Sequence, residues 1–401
     1  MRILYAAIDQ MVPGTVGGST HVAAVAEGLA ALGHDVHVLA SPGSAPFPAF
    51  PRVEWTAMSP PLGAKTLRWL RRTAVTRIAQ TFKPDVVIER YYNFGGEAIT
   101  AGRDLGATTV LEVNAPVVDY PHSKKALLDK LLLVEPMRRW RESLCSSADL
   151  IVTPSANILP SGTPRSKVLE LEWGADTTRF HPGAEGVAPF ERRAPTVVVF
   201  AGAFRRWHGA IDLVRAMREL EARGRRDIAA VLIGDGPERP VVDAAAQTLQ
   251  TVDCIGPIPN ADMPAALAAA DIGVAPFDIS AHRPLSLGFY WSPLKIFEYM
   301  AAGLPVVAPI VDRIPRLVSH EREGILYNPR TPGSLADALE RLSDRSLRQR
   351  MSAAARERAV RDFSWSGHCQ ALAAAFTAAA QRRTEVARSA TLETRAPHTG
   401  P

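Results

Sequence analysis

The sequence predicts an α/β protein that contains two Rossmann-like domains, each built on a parallel sheet. Buried strand-like runs alternate with apolar-periodic helices from Arg2–Ile8 onwards, and the alternation starts afresh at Thr196–Ala201. A length of 401 residues also suits two domains of about 100–200 residues each. We expect the two domains to face a cleft, which is the usual place for a ligand in such proteins.

The first half opens with a βαβ unit. The strand Arg2–Ile8 leads into a loop that contains Gly17 and Gly18. A helix over about Ser19–Leu32 follows, and Asp35–Ala40 is the next strand. The two glycines let the backbone come close to a ligand at the helix N-terminus, although a structural turn explains them equally well. Their spacing is not GxGxxG, so no dinucleotide fingerprint is predicted.

The stretch Lys65–Phe82 is predicted to be a basic helix. Arginines and large apolar side chains are interleaved in it: Arg68, Trp69, Leu70, Arg71, Arg72 and Arg77. Such a helix suits contact with an anionic membrane surface or an acidic acceptor. A solvated helix face has the same composition, and it is the more common of the two.

Two further strands, Pro84–Glu89 and Ala107–Val113, extend the first sheet. Ligands bind at the carboxyl ends of strands in an open parallel sheet. The residues that follow these strands, Arg90–Asn93 and Asn114–Pro116, are therefore candidates for lining the cleft. His122 comes next on a loop, where a lone histidine is more often structural than catalytic.

The domain boundaries follow from changes in composition. Residues 183–194 carry Pro, Gly and charge and form the expected linker. The predicted parts are a first domain at 1–183, a linker at 184–194, a second domain at 195–365, a C-terminal helix at 366–382 and a disordered tail at 383–401.

The segment Ser292–Pro309 carries the clearest chemistry. Ser292 is predicted to be the N-cap of a short apolar helix that is interrupted by Lys295 and Glu298 on one face. A helix N-terminus after a strand is a natural anion site, and Lys295 adds a full positive charge to it. We expect a nucleotide diphosphate to lie across this helix start. The alternative is a Lys–Glu surface pair on a helix that packs on the core.

Composition limits the partners and the location. The formal net charge of +5 fits anionic small molecules or an acidic membrane surface and gives no reason to expect nucleic acid. The three cysteines form no metal-binding or disulfide pattern. With no signal peptide or apolar membrane span, we expect a cytoplasmic protein with peripheral contact at the inner membrane face through residues 65–82.

Taken together, the chain resembles a family-4 glycosyltransferase of the GT-B fold over roughly residues 1–382. The resemblance rests on motifs in both halves: Gly17–Gly18, GAFRRWHG at 202–209, GDGP at 234–237, AADIGVAPF at 269–277, SPLKIFEYMAAGLPVVA at 292–308 and DFSW at 362–365. The order EYMAAGLPVV is specific, whereas GDGP alone is not.

The resemblance implies a function. Members of this family transfer a sugar, here of hexosyl type, from a nucleotide diphosphate sugar with retention of configuration, and they need neither a metal nor another cofactor. The donor lies in the second domain and the acceptor in the first, and the last helix, Ser366–Arg382, crosses back to the first domain. The acceptor is a saccharide, a lipid-linked saccharide or a small natural product.

Three places depart from the family pattern. Ala203 and His208 stand where an Arg and a Lys usually hold the diphosphate. Tyr290 replaces the first of two glutamates eight apart, of which Glu298 is the second, and Asn114 replaces a histidine near the anomeric carbon. The variants WHG and SPLK indicate a branch of the family.

Other residues are expected to offset these losses. Arg205, Arg206, His208 and Lys295 can each contact a phosphate, and His208 would bind best when protonated. The expected donor site comprises Gly17, Gly18, Arg205, Arg206, His208, Ile258, Ser292, Lys295 and Glu298. Within it, Ile258 meets the base and Glu298 the ribose by resemblance. Asn114 and His122 are the candidates for contacting the transferred sugar or the acceptor.

Rival functions remain open at this point. Loss of the usual Arg, Lys and Glu is compatible with a non-catalytic or accessory GT-B protein. A GT-B phosphorylase would leave Glu298 without a ribose to bind, and an epimerase would usually show paired acids. A dinucleotide oxidoreductase is the least favoured, because the glycine fingerprint is missing.

Overall fold

The structure is a computed structural model that describes residues 1–14, 16–93, 95–120, 123 and 135–395. The chain forms two compact units. The first contains Met1–Glu172 and His368–Pro401, and the second contains Trp173–Gly367. The boundary therefore lies at Trp173 and not in the predicted linker at 184–194, because the residues after Trp173 pack along a helix of the second unit, as described below.

A parallel sheet of seven strands, in the order β3-β2-β1-β4-β5-β6-β7, forms the centre of the first unit. Its strands are β1 (Arg2–Val12), β2 (Asp35–Pro42), β3 (Val53–Ala57), β4 (Val86–Arg90), β5 (Thr108–Glu112), β6 (Leu150–Thr153) and β7 (Val168–Glu170). The helices before the second unit are α1 (Gly17–Ala31), α2 (Arg72–Phe82), α3 (Glu97–Asp104) and α4 (Glu135–Ser147). Every residue of β4 and β5 is buried, as expected for strands covered on both faces.

The second unit is built on a parallel sheet of six strands, in the order β10-β9-β8-β11-β12-β13. Its strands are β8 (Thr196–Ala201), β9 (Ile228–Ile233), β10 (Val252–Ile255), β11 (Ile272–Val274), β12 (Val306–Pro309) and β13 (Gly324–Tyr327). Its helices are α5 (Ala210–Ala222), α6 (Arg239–Ala246), α7 (Met263–Ala268), α8 (Leu294–Ala301), α9 (Ile314–Leu317), α10 (Ser334–Arg341) and α11 (Arg345–Asp362).

Short 3₁₀ helices complete the described secondary structure. They span Pro61–Gly63, Lys65–Arg71, Ala156–Ile158, Arg165–Lys167, Arg206–His208, Ile279–Ala281 and Arg283–Leu287. The predicted single helix Lys65–Phe82 is thus a 3₁₀ segment followed by α2. The strand order reverses between β8 and β11 in the second unit, and ligands of open parallel sheets bind at the carboxyl ends of strands at such a point. The two Rossmann-like sheets confirm the predicted fold class.

The last helix, α12 (Trp365–Arg395), crosses from the second unit back to the first, as predicted. There the Cys369 thiol lies 3.9 Å from the carbonyl oxygen of Ala24, and Arg383 donates a hydrogen bond to the carbonyl of Ala107. The predicted disordered tail is wrong for residues 383–395, which are helical. These residues contain no glycine or proline, so nothing in the chain ends the helix at residue 382.

None of the described helices combines the length with the apolar character that a membrane-spanning segment needs.

Candidate functional site

The start of α8 differs from its prediction. Ser292 does not cap this helix: its hydroxyl accepts a hydrogen bond of 3.0 Å from the backbone N–H of Trp173. Pro293 stands at the N-cap position, and no side chain caps the first turn. The predicted cap is wrong because the hydroxyl is committed to another segment. The helix therefore begins without a side-chain acceptor for its first N–H groups.

Lys295 carries a buried and unsatisfied cation. Its Nζ atom is shielded from solvent and has no hydrogen-bond partner in the described residues. It lies 4.0 Å from the ring centre of Phe200 and 5.4 Å from that of Phe277. Burial lowers the pKa of Lys295 from its ordinary value of 10.5 to about 7, although Glu298 acts in the opposite direction. Gly202 makes room for the ammonium, since a Cβ atom there would lie 3.1 Å from Nζ.

Glu298 lies one turn further along α8. Burial raises the pKa of its carboxyl group to about 7, while Arg179 and then Lys295 lower it. Among the described residues, Lys295 Nζ makes no hydrogen bond to Glu298, and both groups are buried, so the alternative of a Lys–Glu surface pair does not describe them. Both groups keep hydrogen-bonding capacity for a third group.

The turn after β8 holds His208 in its neutral form. The ring Nδ1 and the carbonyl oxygen of Ala203 are 2.5 Å apart, and because a carbonyl only accepts, we assign the proton to Nδ1. Burial first, and the charge of Lys295 next, lower the pKa of His208 to about 3. In the unliganded protein, His208 is therefore neutral at neutral pH and adds no positive charge to the turn.

Arg205 and Arg206 are both exposed. The positive charge of Arg205 contributes, after burial, to the lowered pKa values of His208 and His282. Arg205 therefore lies close enough to both histidines to act on their charge.

An aromatic cluster borders the same region. Trp207 stacks on Trp291 with a ring separation of 4.5 Å and on Phe277 at 6.0 Å. Tyr290 belongs to the same segment and is only 2% exposed. Arg313 fixes this segment by donating a hydrogen bond of 2.6 Å to the carbonyl of Trp291.

The segment after β10 carries Ile258, which is half-buried. Arg179 anchors this segment: its guanidinium donates hydrogen bonds to the side-chain oxygen of Asn260, at 3.1 Å, and to the carbonyl oxygen, at 3.0 Å. The same guanidinium is the cation that most lowers the pKa of Glu298. Sequence reasoning missed both Arg179 and Asn260. Nothing in the sequence indicates that residues 81 positions apart meet.

In the first unit, Gly17 and Gly18 form the start of α1, which no side chain caps. A Cβ atom at Gly18 would lie 2.2 Å from the side-chain oxygen of Gln10. That atom is the far end of a flexible side chain, which can move aside, so packing alone does not require glycine at this position. The glycine leaves the first turn open to a ligand.

Asn114 is held by a buried carboxylate. Its amide Nδ2 donates a hydrogen bond to Glu112. Glu112 also accepts hydrogen bonds of 2.6 Å from Tyr5 and from Arg90, which is one of the residues predicted to line a cleft. His122 lies outside the described residues.

Arg68 contradicts the idea of one continuous basic surface along residues 65–82. Its side chain is fully buried and donates hydrogen bonds to Glu97 at 2.6 Å, Asp9 at 3.0 Å and Glu89 at 3.2 Å. Burial alone would lower the pKa of the guanidinium, but the three carboxylates raise it. Trp69 and Leu70 remain about half exposed, at 54% and 50%.

Among the described residues, no group of three or more His, Cys, Asp or Glu side chains is arranged to hold a metal ion. Two open grooves occur elsewhere. One, of about 780 Å³, runs along β10 beside Arg193 and Cys254, and the other, of about 460 Å³, lies between α3 and α4 beside Arg103 and Trp140. Neither is lined by a residue of the predicted site.

Comparison with known proteins decides the family. Residues 16–159 match the family model described as Glycosyltransferase Family 4, and residues 195–345 match the model described as Glycosyl transferases group 1. The chain belongs to the family-4 glycosyltransferases.

Individual relatives of this family-4 chain include mannosyltransferases. The GDP-mannose-dependent alpha-(1-6)-phosphatidylinositol monomannoside mannosyltransferase of Mycobacterium tuberculosis is 30% identical over 212 residues. That match covers 50% of this chain and 54% of the relative, so the chain spans about half the length of this curated relative. A GDP-mannose-dependent alpha-mannosyltransferase of Corynebacterium glutamicum is 26% identical over 389 residues, covering 93% of this chain and 87% of that protein.

Among solved structures, HepE from Anabaena in complex with UDP-glucose resembles the chain with a TM-score of 0.65. The identity is 17%, and the match covers 94% of this chain and 100% of that one. At this identity, the likeness supports the GT-B fold alone.

Proposed function

We propose that this protein is a retaining, metal-independent glycosyltransferase that moves a hexose from a nucleotide diphosphate sugar to an acceptor. The observation that carries the proposal is the ammonium of Lys295, which is buried at a helix start and has no hydrogen-bond partner among the residues that the structure describes. Burying an unpaired charge costs roughly several kcal/mol, because the charge loses its hydration. A bound anion offsets that cost. A diphosphate supplies two such anionic groups.

On the donor side, the main chemical task is electrostatic. The leaving diphosphate gains negative charge as the anomeric bond breaks, and preorganised positive groups stabilise that charge. We assign this role to Lys295, to the uncapped start of α8 and to Arg205. His208, being neutral with Nδ1–H committed to Ala203, orients the turn and adds no charge.

The nucleoside is assigned to the next turn of α8. Glu298 accepts hydrogen bonds from ribose hydroxyls, and Ile258 packs against the base. Ser292, whose hydroxyl accepts the hydrogen bond from Trp173, contributes less than the sequence predicts. Arg206 stays a predicted phosphate contact. Gly17 and Gly18 remain candidates for a phosphate contact from the first unit.

The acceptor is assigned to the first unit. Asn114, fixed by Glu112, is the candidate for contacting the transferred sugar, and His122 is a second candidate. In a retaining transfer of this kind, the leaving phosphate takes the proton of the acceptor hydroxyl, so no side chain is needed as a general base. We therefore name positioning groups here and no protein nucleophile.

The names of the relatives suggest which donors to test first. GDP-mannose and UDP-glucose are incubated with the protein, and sugar transfer or slow donor hydrolysis is measured, with and without EDTA. We expect turnover that EDTA leaves unchanged and a product whose anomeric configuration, read by NMR, equals that of the donor. Lys295→Met serves as the inactive control. Binding of a donor without any transfer or hydrolysis would favour the accessory protein over the enzyme.

We also propose peripheral membrane contact near the start of α2. Trp69 and Leu70 are half exposed, and Arg72 and Arg77 are exposed beside them, whereas Arg68 takes no part because it is buried. Exposed aromatic and cationic side chains of this kind bind anionic interfaces. We expect the protein to sediment with vesicles that contain anionic lipid and not with neutral ones. Trp69→Ser together with Leu70→Ser should abolish that binding, and unchanged sedimentation would contradict the assignment.

A further inference from the structure

A strap of the second unit, Trp173–Phe180, runs along α8 and is attached at both ends of that helix. At the start, the N–H of Trp173 donates to the Ser292 hydroxyl at 3.0 Å. At the far end, Arg356 of α11 donates hydrogen bonds of 2.7 Å both to the carbonyl of Phe180 and to that of Ala301. The strap is therefore fixed relative to the helix that carries Lys295 and Glu298.

The local turn fixes the place of Arg179 within this strap. One carboxylate oxygen of Asp176 accepts hydrogen bonds from the N–H of Thr178 at 3.0 Å and from the N–H of Arg179 at 3.1 Å. Arg356 also donates to the carbonyl of Thr177 at 2.9 Å. The backbone on which the Arg179 side chain is mounted is thus held from two directions.

From this turn, the guanidinium of Arg179 reaches the loop after β10. Both of its terminal nitrogens donate to the side-chain oxygen of Asn260 at 3.1 Å, and one also donates to the Asn260 carbonyl at 3.0 Å. A forked contact of this kind fixes orientation as well as distance. The guanidinium also lies near enough to Glu298 to act on its charge more strongly than Lys295 does.

We propose that Arg179 is a positioning residue for the nucleoside part of the donor, because it holds the loop 256–260 at a fixed distance from Glu298. The inference rests on the proposed function. If the loop contacts the base and Glu298 contacts the ribose, a single nucleoside must span both. A loop that is already in place spares the ligand the entropic cost of ordering it.

This role separates the nucleoside from the phosphates. Among the described hydrogen bonds, Arg179 makes none to Lys295 or to the start of α8. Replacing Arg179 should therefore leave the affinity for a ligand that consists of phosphates alone unchanged. Loss of Arg179 should weaken GDP and UDP binding and leave inorganic pyrophosphate binding unchanged. A merely structural role would change both.

The test compares Arg179→Ala and Arg179→Lys with the wild-type full chain by titration calorimetry against GDP, UDP and pyrophosphate. We expect Arg179→Ala to weaken binding of the nucleoside diphosphates by about tenfold and binding of pyrophosphate by less than about twofold. Arg179→Lys should restore little, because an ammonium lacks the fork. With GDP-mannose or UDP-glucose as donor, KM should rise while kcat stays near wild type.

Two controls complete the design. Arg192→Ala removes another exposed arginine, which donates hydrogen bonds to the carbonyl of Ala269 and the carboxylate of Asp271. It should leave the affinities for nucleotide and pyrophosphate unchanged. Asn260→Ala removes the side-chain acceptor and keeps the backbone carbonyl, so it should weaken nucleotide binding in the same direction by a smaller factor. The double variant should be no worse than Arg179→Ala alone.

The outcomes also distinguish this inference from the proposed function. If the wild type binds GDP or UDP but Arg179→Ala binds them equally well, the inference is overturned and the proposed function stands. The inference also fails if pyrophosphate binding falls in parallel with nucleotide binding. If the wild type binds neither nucleotide nor pyrophosphate, both are wrong.

Discussion

Arg68 in the first unit and Lys295 in the second are both buried cations near the carboxyl ends of strands in a parallel sheet. Their surroundings are opposite. Arg68 donates to three carboxylates and to the carbonyl of Arg90, whereas the ammonium of Lys295 meets two aromatic rings and no acceptor in the described part of the chain. The same type of charge in the same type of place therefore has two different roles.

The difference teaches how to separate structure from function at such positions. A buried charge that is fully hydrogen-bonded stabilises its own surroundings, and removing it leaves the partners uncompensated. A buried charge with no partner opposes folding and has unused binding capacity. The number of hydrogen-bond partners, more than the residue type, thus indicates that Arg68 stabilises the fold and supports the proposed anion-binding role of Lys295.

The strongest test of this comparison is Arg68→Met. Removing the guanidinium leaves Asp9, Glu89 and Glu97 close together without their cation, so we expect the free energy of unfolding to fall by about 3–5 kcal/mol. Urea unfolding measures this loss. The matched control is Arg77→Met, which removes an exposed arginine of the same stretch and should change stability by less than about 0.5 kcal/mol. Equal effects of the two variants would contradict the assignment of Arg68.

Lys295→Met should behave in the opposite way. Methionine fills similar space without a charge, so the free energy of unfolding should stay equal or increase. Affinity for GDP or UDP should fall by about 10- to 150-fold, the equivalent of about 1.5–3 kcal/mol for a charge-assisted hydrogen bond. Calorimetry and urea unfolding on the same sample separate the two effects. A destabilised variant that still binds nucleotide would show that Lys295 is structural after all.

The pH dependence of binding sharpens the comparison further. With its pKa lowered to about 7, Lys295 loses its proton in the free protein as the pH rises through 7, whereas an ordinary lysine stays charged up to about 10.5. Anion affinity should therefore decrease above pH 7, by at most about tenfold per pH unit. Pyrophosphate titrations between pH 6 and 8.5 avoid the ribose contact of Glu298. The Lys295→Met variant corrects for titration of pyrophosphate itself, and an identical slope in both proteins would exclude Lys295 as the source.

The smallest effect is expected for His208→Ala. Since the pKa of His208 is lowered to about 3, the ring is already neutral at pH 6 to 8, and its removal takes away no positive charge. Nucleotide affinity should change by less than about threefold and should keep the pH dependence of the wild type. Loss of that pH dependence in His208→Ala would show that the histidine, and not Lys295, is the titrating group.

The sequence predicted those features that depend on neighbours along the chain. Strand and helix alternation is a local pattern, and it was sufficient for the two parallel sheets. The segment Ser292–Pro309 likewise contains the start of α8, Lys295 and Glu298 within a few residues, so their common face could be derived from helical spacing.

Features that depend on distant partners could not be derived in this way. Arg68 looks like any exposed arginine until Asp9, Glu89 and Glu97 are placed around it. Ser292 has the chemistry of a cap, but Trp173 takes its hydroxyl. In each case the side chain could make more than one kind of hydrogen bond, and its actual partner lies far away in the sequence.

The aromatic surroundings of Lys295 also have a consequence for sequence evolution at this position. In a lineage that no longer binds an anion at Lys295, an apolar replacement of the lysine would increase stability. We therefore expect the lysine to be replaced quickly in such a lineage. An accessory protein descended from this chain should thus carry Met or Leu at position 295 while retaining Phe200 and Phe277. The residue at position 295 in related sequences would then distinguish active transferases from accessory proteins.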